Sequence, residues 1–220
     1  TGTSMACPGI AGTLAQLYQA YRALNSNADP DAALMKGLIT STADDLGNPG
    51  PDYIYGYGRF NGRRAIEVLE KNQFLSNTVT NSQNRTHNIT VPAGTGKLFV
   101  MVCWSDYEAS PGVSKALVND IDMTVTAPSS TVYLPWVLKP TPNATALNSN
   151  ATRKVDTLNN AEQVTIDNPA AGTYTISVTG TSIPQGPQKY YVIYEFMKDD
   201  VVLTYPIGGE HFVPGETETI

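Results

Sequence analysis

Charge is sparse in this sequence, and sulfur sparser still. Only 14 of 220 residues are Lys or Arg against 20 Asp or Glu, a formal net charge of −6. The basic residues are scattered, with no run that could follow a phosphate backbone, so nucleic acid is excluded as an expected partner. The two cysteines, Cys7 and Cys103, are too few for a disulfide framework and are expected to be buried thiols. No apolar run reaches the roughly 18 residues of a membrane span, and no basic-then-apolar signal segment opens the chain. What is abundant is turn-forming: 18 Gly and 15 Pro, with 12 Tyr and 41% hydrophobic residues. This composition fits a soluble globular chain, and the length suits two modest domains. Low Lys and Arg with much Asn, Thr, Ser and Gly resembles secreted proteins.

The first third reads as helical. Between Ala11 and Leu24 apolar residues recur at helical spacing (Ala11, Leu14, Ala15, Tyr18, Tyr21), and Asn25-Ser26-Asn27 ends the run, which predicts a buried helix. Asp29-Pro30-Asp31 reads as a cap, a first-turn proline and a dipole-favoured acid, opening a second helix to about Ile39. A Gly/Pro-rich loop spans Asn48 to Gly58. Asn61 then caps a third helix to about Glu70, with Ala65, Ile66 and Leu69 inward.

Beyond Asn72 the period changes to that of strands. Thr86–Val91, Lys97–Trp104, Ile121–Ala127, Thr131–Trp136, Gln163–Asp167, Thr173–Gly180 and Lys189–Phe196 are short β-rich runs bounded by turn residues, and together they predict a β-sandwich. Asn143–Asn160 reads as a long loop. Val201–Ile220 reads as the first strands of a further module, too short to bury a core alone.

One motif carries chemistry. Thr1-Gly2-Thr3-Ser4-Met5-Ala6-Cys7-Pro8-Gly9-Ile10-Ala11-Gly12 sets a serine among small residues at the start of a long helix. A serine hydroxyl becomes a nucleophile when a base takes its proton, and a helix N-terminus offers backbone N–H groups to the oxyanion formed on acyl attack. A Thr-Ser before a helix is also a common N-cap.

The full string resembles the nucleophile motif of the subtilisin-like (subtilase) family, Gly-Thr-Ser-Met-Ala-x-Pro-x-x-Ala-Gly, and matches it at every fixed position. Ala33-Leu34-Met35-Lys36 followed by Thr40-Ser41-Thr42-Ala43 is similar to the family's next helix and turn. Tyr55-Gly56-Tyr57-Gly58-Arg59-Phe60-Asn61 with Arg64-Ala65 is similar to its Gly-x-Gly-x-x-Asn-x-x-x-Ala segment. Cys7 and Gly9 depart from the usual residues at positions that supply no catalytic group.

The resemblance implies a serine endopeptidase acting on protein or peptide substrates through an acyl-enzyme on Ser4. It also implies a catalytic Asp, His and oxyanion Asn upstream of the serine, where this chain has three residues. His87 and His211 lack the Gly-rich context of the family's base. The expectation is therefore a chain that is inactive alone and whose partner is the missing N-terminal part of the catalytic domain.

The β-region resembles the jelly-roll, P-domain-like unit that follows the catalytic domain in some secreted subtilases. The runs that carry this are Leu98 to Asp106, Leu117 to Val125 and Ala170 to Val178. The implied fold class is α+β: the C-terminal helical portion of an α/β subtilisin-like domain (1–74), an all-β jelly-roll sandwich (75–200) and the start of a further β module (201–220). Secretion or a cell-surface location is the implied compartment.

Asp106, Asn119, Asp120 and Asp122 gather at strand edges, where Asp156, Asn159 and Glu162 could join them. Such oxygen ligands suit structural Ca²⁺, although Asp and Asn also fill turns for local reasons. Asn84, Asn88, Asn143 and Asn150 stand in Asn-x-Thr sequons. A second functional class, a binding or adhesion module, would use Tyr133, Trp136, Tyr190 and Tyr191 as an aromatic platform. Core and cross-strand packing is the competing explanation for those rings. A pseudoprotease is the third reading.

Overall fold

A computed structural model describes residues 2–198. The strands read from Val201 onward, and His211, lie outside the described residues.

Three helices open the chain: α1 (Thr3–Leu24), α2 (Ala32–Ser41) and α3 (Gly62–Glu70). The third forms as its sequence predicts, because the Asn61 side chain accepts the Arg64 N–H at 3.2 Å and supplies one of the helix's missing acceptors. α2 starts later than expected. Asp31, not Asp29, is its flanking residue and makes no capping bond. Its carboxylate instead accepts from Tyr191 Oη at 2.7 Å and Lys189 Nζ at 2.5 Å, so tertiary partners replace the local cap.

The expectation of a buried α1 is corrected. The helix begins at Thr3, well ahead of the apolar spacing, and Leu17 is its only buried residue. Leu14, Ala20 and Tyr21 reach the packed side partly, while Met5, Tyr18 and Leu24 are exposed. Cys7 is likewise exposed, against the expectation of two buried thiols, while Cys103 is buried.

Ten strands follow: β1 (Phe74–Val79), β2 (Asn84–Val91), β3 (Thr95–Trp104), β4 (Asp120–Thr126), β5 (Val132–Tyr133), β6 (Trp136–Val137), β7 (Thr152–Arg153), β8 (Ala161–Asp167), β9 (Gly172–Ser182) and β10 (Gln188–Lys198). Each predicted run contains a strand, although 131–136 divides into β5 and β6. β1 was not among them, since Ser76-Asn77-Thr78 breaks its apolar pattern. The loop 143–160 holds only a single helical turn, α4 (Ala144–Leu147), and the two residues of β7.

The strands form two four-stranded antiparallel sheets, β1-β10-β3-β8 and β2-β9-β4-β5, with β6 and β7 as a separate ribbon. Strand alternation sends Leu98, Val100, Val102 and Trp104 of β3 and Tyr190 and Val192 of β10 toward the second sheet. There they meet Ile121, Met123 and Val125 of β4 and Tyr174, Ile176 and Val178 of β9 in one core.

The opposite face of the first sheet is covered as well. Tyr191 and Ile193 of β10 pack with Leu17, Leu34, Leu38, Ala65, Val68 and Leu69 of the helices. β3 and β10 are thus buried on both faces, which is why Leu98–Trp104 and Tyr190–Ile193 read as continuous apolar runs. Gly37 lets α2 lie this close, because a Cβ there would stand 2.5 Å from Ile193 Cδ1. The architecture is mixed α+β: a helical layer, then two antiparallel sheets.

Candidate functional site

Ser4 lies in the first turn of α1 rather than ahead of it. Gly2 precedes the helix in an extended conformation, and its carbonyl accepts from Met5 N at 3.0 Å and Ala6 N at 3.3 Å. Pro8, in the second turn, has no N–H to give the Ser4 carbonyl four residues earlier, so the helical ladder is interrupted at the serine. The Ser4 side chain is exposed. Gly2, Gly9 and Gly12 have open space where a Cβ would stand. The start of α1 is therefore a small-residue helix end that presents an exposed serine hydroxyl, with the Met5 and Ala6 N–H groups already given to the Gly2 carbonyl.

Among the described residues no base accompanies it. His87, on β2, is half-buried in the sandwich with Nε2 2.8 Å from Tyr190 Oη, and burial, with Arg85 adding to it, holds its pKa below the usual histidine value. Beside α1, an apolar groove of about 780 Å³ runs along α2, lined by Leu14, Ala15, Tyr18, Met35 and Ile39.

The loop between α2 and α3 is tightly built. Asp44 and Arg59 exchange backbone hydrogen bonds at 2.7 and 2.8 Å. Gly58 makes this approach possible: its φ is +114°, and a Cβ would fall 2.1 Å from the Asp44 carbonyl oxygen. The Gly in Tyr-Gly-Tyr-Gly thus has a backbone reason. Buried Asp52 accepts three backbone N–H groups, from Tyr55 at 2.6 Å, Ile54 at 2.8 Å and Asn48 at 3.1 Å. Desolvation is the largest influence on Asp52 and opposes its charge, but the three donors outweigh it and leave the pKa below the ordinary carboxylate value.

Of the four oxygen-bearing residues expected at a metal, the structure divides two from two. Asp106 accepts Val118 N at 2.7 Å and Asn119 N at 2.9 Å. Asn119 is fully buried and spends its amide on Gln185 O at 2.6 Å, Gln188 Oε1 at 2.7 Å and Gln185 N at 3.2 Å. Both side chains pin the loops around β4. Asp120 and Asp122 instead keep company with Asp156 and Glu162. Desolvation first, with Asp122, Asp156 and Asp120 adding charge, pushes the Glu162 pKa up to about 9. Asp122 is raised for the same reasons.

Of the two readings of the aromatic rings, packing holds for the β10 pair, and the platform is corrected there. Tyr190 is fully buried and Tyr191 nearly so, while Trp136 is half-buried with the Arg153 guanidinium 3.6 Å over its ring. Residue types that stack in a strand cannot be told from surface rings by pattern, because each face of β10 found a partner layer.

Residues 1–58 match the Subtilase family (Peptidase_S8). Two relatives, both named extracellular serine protease and both from Serratia marcescens, are 42% and 41% identical over 66 residues, 30% of this chain. The matched stretch spans 6% of the length of each of these relatives. Among solved structures, a Bacillus licheniformis lipase, BlEst2 in its propeptide form, is 13% identical with a TM-score of 0.32, over 62% of this chain and 29% of that one. That likeness is too slight to carry an argument. Among the described residues no helix is long and apolar enough to cross a membrane. Motif and match coincide on the same residues: the likeness of this chain to the subtilase family lies in residues 1–58.

Proposed function

We propose that Ser4 is the acyl-enzyme nucleophile of a subtilase-type serine endopeptidase, and that the exposed sides of α1 and α2 receive the Asp- and His-bearing part of the same catalytic unit. The observation that carries this is the placement of Ser4 within the matched motif: exposed, in the first turn of a 22-residue helix with one buried residue. A histidine brought to Ser4 Oγ would take its proton as the oxygen attacks the peptide carbonyl. The N–H of Ser4 itself, at the start of α1, would face the developing oxyanion. Small side chains at Gly2 and Ala6 leave room for the substrate backbone.

The apolar groove beside α1 supports a packed partner, since an isolated chain gains nothing from leaving Leu14, Tyr18 and Ile39 along a wet groove. The family match of residues 1–58 supports the remainder of a subtilase unit as that partner. The order β1-β10-β3-β8 over β2-β9-β4-β5 supports the jelly-roll reading of residues 75–198. In that reading the sandwich buttresses the helices through β3 and β10. The relatives' names, extracellular serine protease, support protein or peptide substrates and secretion in this reading.

The test is fluorophosphonate labelling. With an Asp- and His-bearing subtilase segment joined ahead of Thr1, Ser4 is expected to be labelled and Ser4→Ala to be silent, while the 220-residue chain alone stays unlabelled. A folded, completed protein that takes no label at Ser4 overturns the proposal.

A further inference from the structure

Tyr190 of β10 is fully buried, hydroxyl included in its burial. Among the described residues the one partner of that hydroxyl is His87 Nε2 of β2, at 2.8 Å, with the two rings edge-on at 69° and their centres 5.9 Å apart. β10 lies in the first sheet and β2 is an edge strand of the second, so this bond crosses the sandwich and ties an edge to the opposite layer. A buried hydroxyl proton needs an acceptor, and a neutral imidazole supplies one at Nε2. A protonated imidazole carries N–H on both nitrogens and accepts nothing, which would strand the Tyr190 proton.

The surroundings offer an imidazolium no compensation. His87 is half-buried, and Arg85, two residues earlier, lies on the same side of β2. The Arg85 charge acts on both His87 and Tyr190, and its Nε is spent on Thr78 O of β1 at 3.3 Å. β1, β2 and β9 contain no acidic residue. On β10, Lys189 and Glu195 belong to the helix-facing side, where Asp31 and Arg64 hold them, and Lys198 stands at the far end of the strand. A charge on His87 would therefore face one arginine and no carboxylate.

We propose that His87 is an acid-released latch: while neutral it holds the β2 edge of the second sheet against β10, and proton uptake at Nε2 breaks the bond to Tyr190 and lets β2 open. No covalent bond changes. β2 suits release, because among the described residues β9 is its single sheet neighbour, and Asn84, Thr86, Asn88 and Thr90 are exposed along it. β3, by contrast, is paired on both edges and covered on both faces. Burial first, and Arg85 second, hold the His87 pKa below the ordinary value. The latch is accordingly complete above the ordinary histidine pKa of about 6.5 and is lost as pH falls through the lowered folded value. The inference is independent of the protease reading, since none of these residues lies in 1–58.

The experiment is amide hydrogen exchange on the 220-residue chain at about pH 7.5 and pH 5, each rate divided by that of unstructured peptide at the same pH. His211, the second histidine of the sequence, is replaced by Gln throughout, and the comparison is with His87→Gln, which keeps a donor and an acceptor but does not titrate. On acidification the protection of β2 amides is expected to fall at least about threefold relative to β3, and by less than about 1.5-fold in His87→Gln. Carboxylates that titrate in the same interval act alike on both proteins, so the comparison removes them. NMR titration of the His87 ring should give a pKa below about 6.5 that rises in Arg85→Gln. A fall at β2 that is the same in His87→Gln, or that β3 shares equally, overturns the proposal. So does a His87 ring that titrates at or above about 6.5, a result that requires no substitution at His87.

Discussion

Arg64 is the most buried of the charged links between the helical layer and the sandwich, and its removal is the sharpest test of that packing. Its Nε and Nη2 reach Glu195 Oε1 and Oε2 of β10 at 2.9 and 2.7 Å, a two-pronged pair, while Nη1 reaches Asp44 Oδ1 at 2.8 Å. The guanidinium also lies 5.1 Å from the centre of the Phe99 ring. Arg64 and Glu195 side chains are each only 12% exposed, so water cannot replace either partner. Asp44 is better provided for, with Arg59 at 3.1 Å and Asn61 at 3.2 Å. Arg64→Met therefore strands chiefly Glu195, and breaking a buried pair on one side costs about 3–5 kcal/mol. Replacing both partners, Arg64→Met with Glu195→Leu, removes the stranded charge and should return stability to within about 1 kcal/mol of the parent, or above it. Urea unfolding of the 220-residue chain followed by Trp fluorescence measures all four corners of the cycle. A single substitution costing less than about 1 kcal/mol would mean that the pair behaves as an exposed one, and would refute the reasoning.

Other outcomes follow from close contacts. Gly37→Leu should cost about 1–3 kcal/mol by driving α2 away from Ile193, read as a lower urea midpoint. Gly58→Ala combines a positive φ with a Cβ 2.1 Å from the Asp44 oxygen, and should lower the melting temperature more than Gly56→Ala, where that space is open. Asp52 contributes stability that is present above the ordinary aspartate pKa and is lost as pH falls through its lowered folded value. Asp52→Asn should therefore lower stability at neutral pH by about 1–3 kcal/mol and flatten the acid limb of the melting profile below about pH 4, the ordinary aspartate range.

Much of the fold was legible because local signals and tertiary demands agreed. The cap of α3 joins Asn61 to the N–H of Arg64 three residues on, a local bond, and the alternation in β4 and β9 needs only one sheet face to be buried. Legibility failed where a residue's partner lies far along the chain. Asp31 looked like part of a helix start and serves Lys189 and Tyr191. Tyr190 and Tyr191 could be read as packed rings or as a platform, and burial on opposite sides of β10 decides for packing.

The serine shows the same division. Ser4 is singled out as the candidate nucleophile by a string of contiguous residues, since a serine at a helix start is a local arrangement, and no tertiary contact is needed to find it. Which acids share a cluster is not local: Asp120 and Glu162 sit on strands of different sheets, and only the stacking of those sheets separates them from Asp106 and Asn119. Tertiary structure likewise decided that α1 has one buried residue, because the apolar period says that a face must be covered and never says by what.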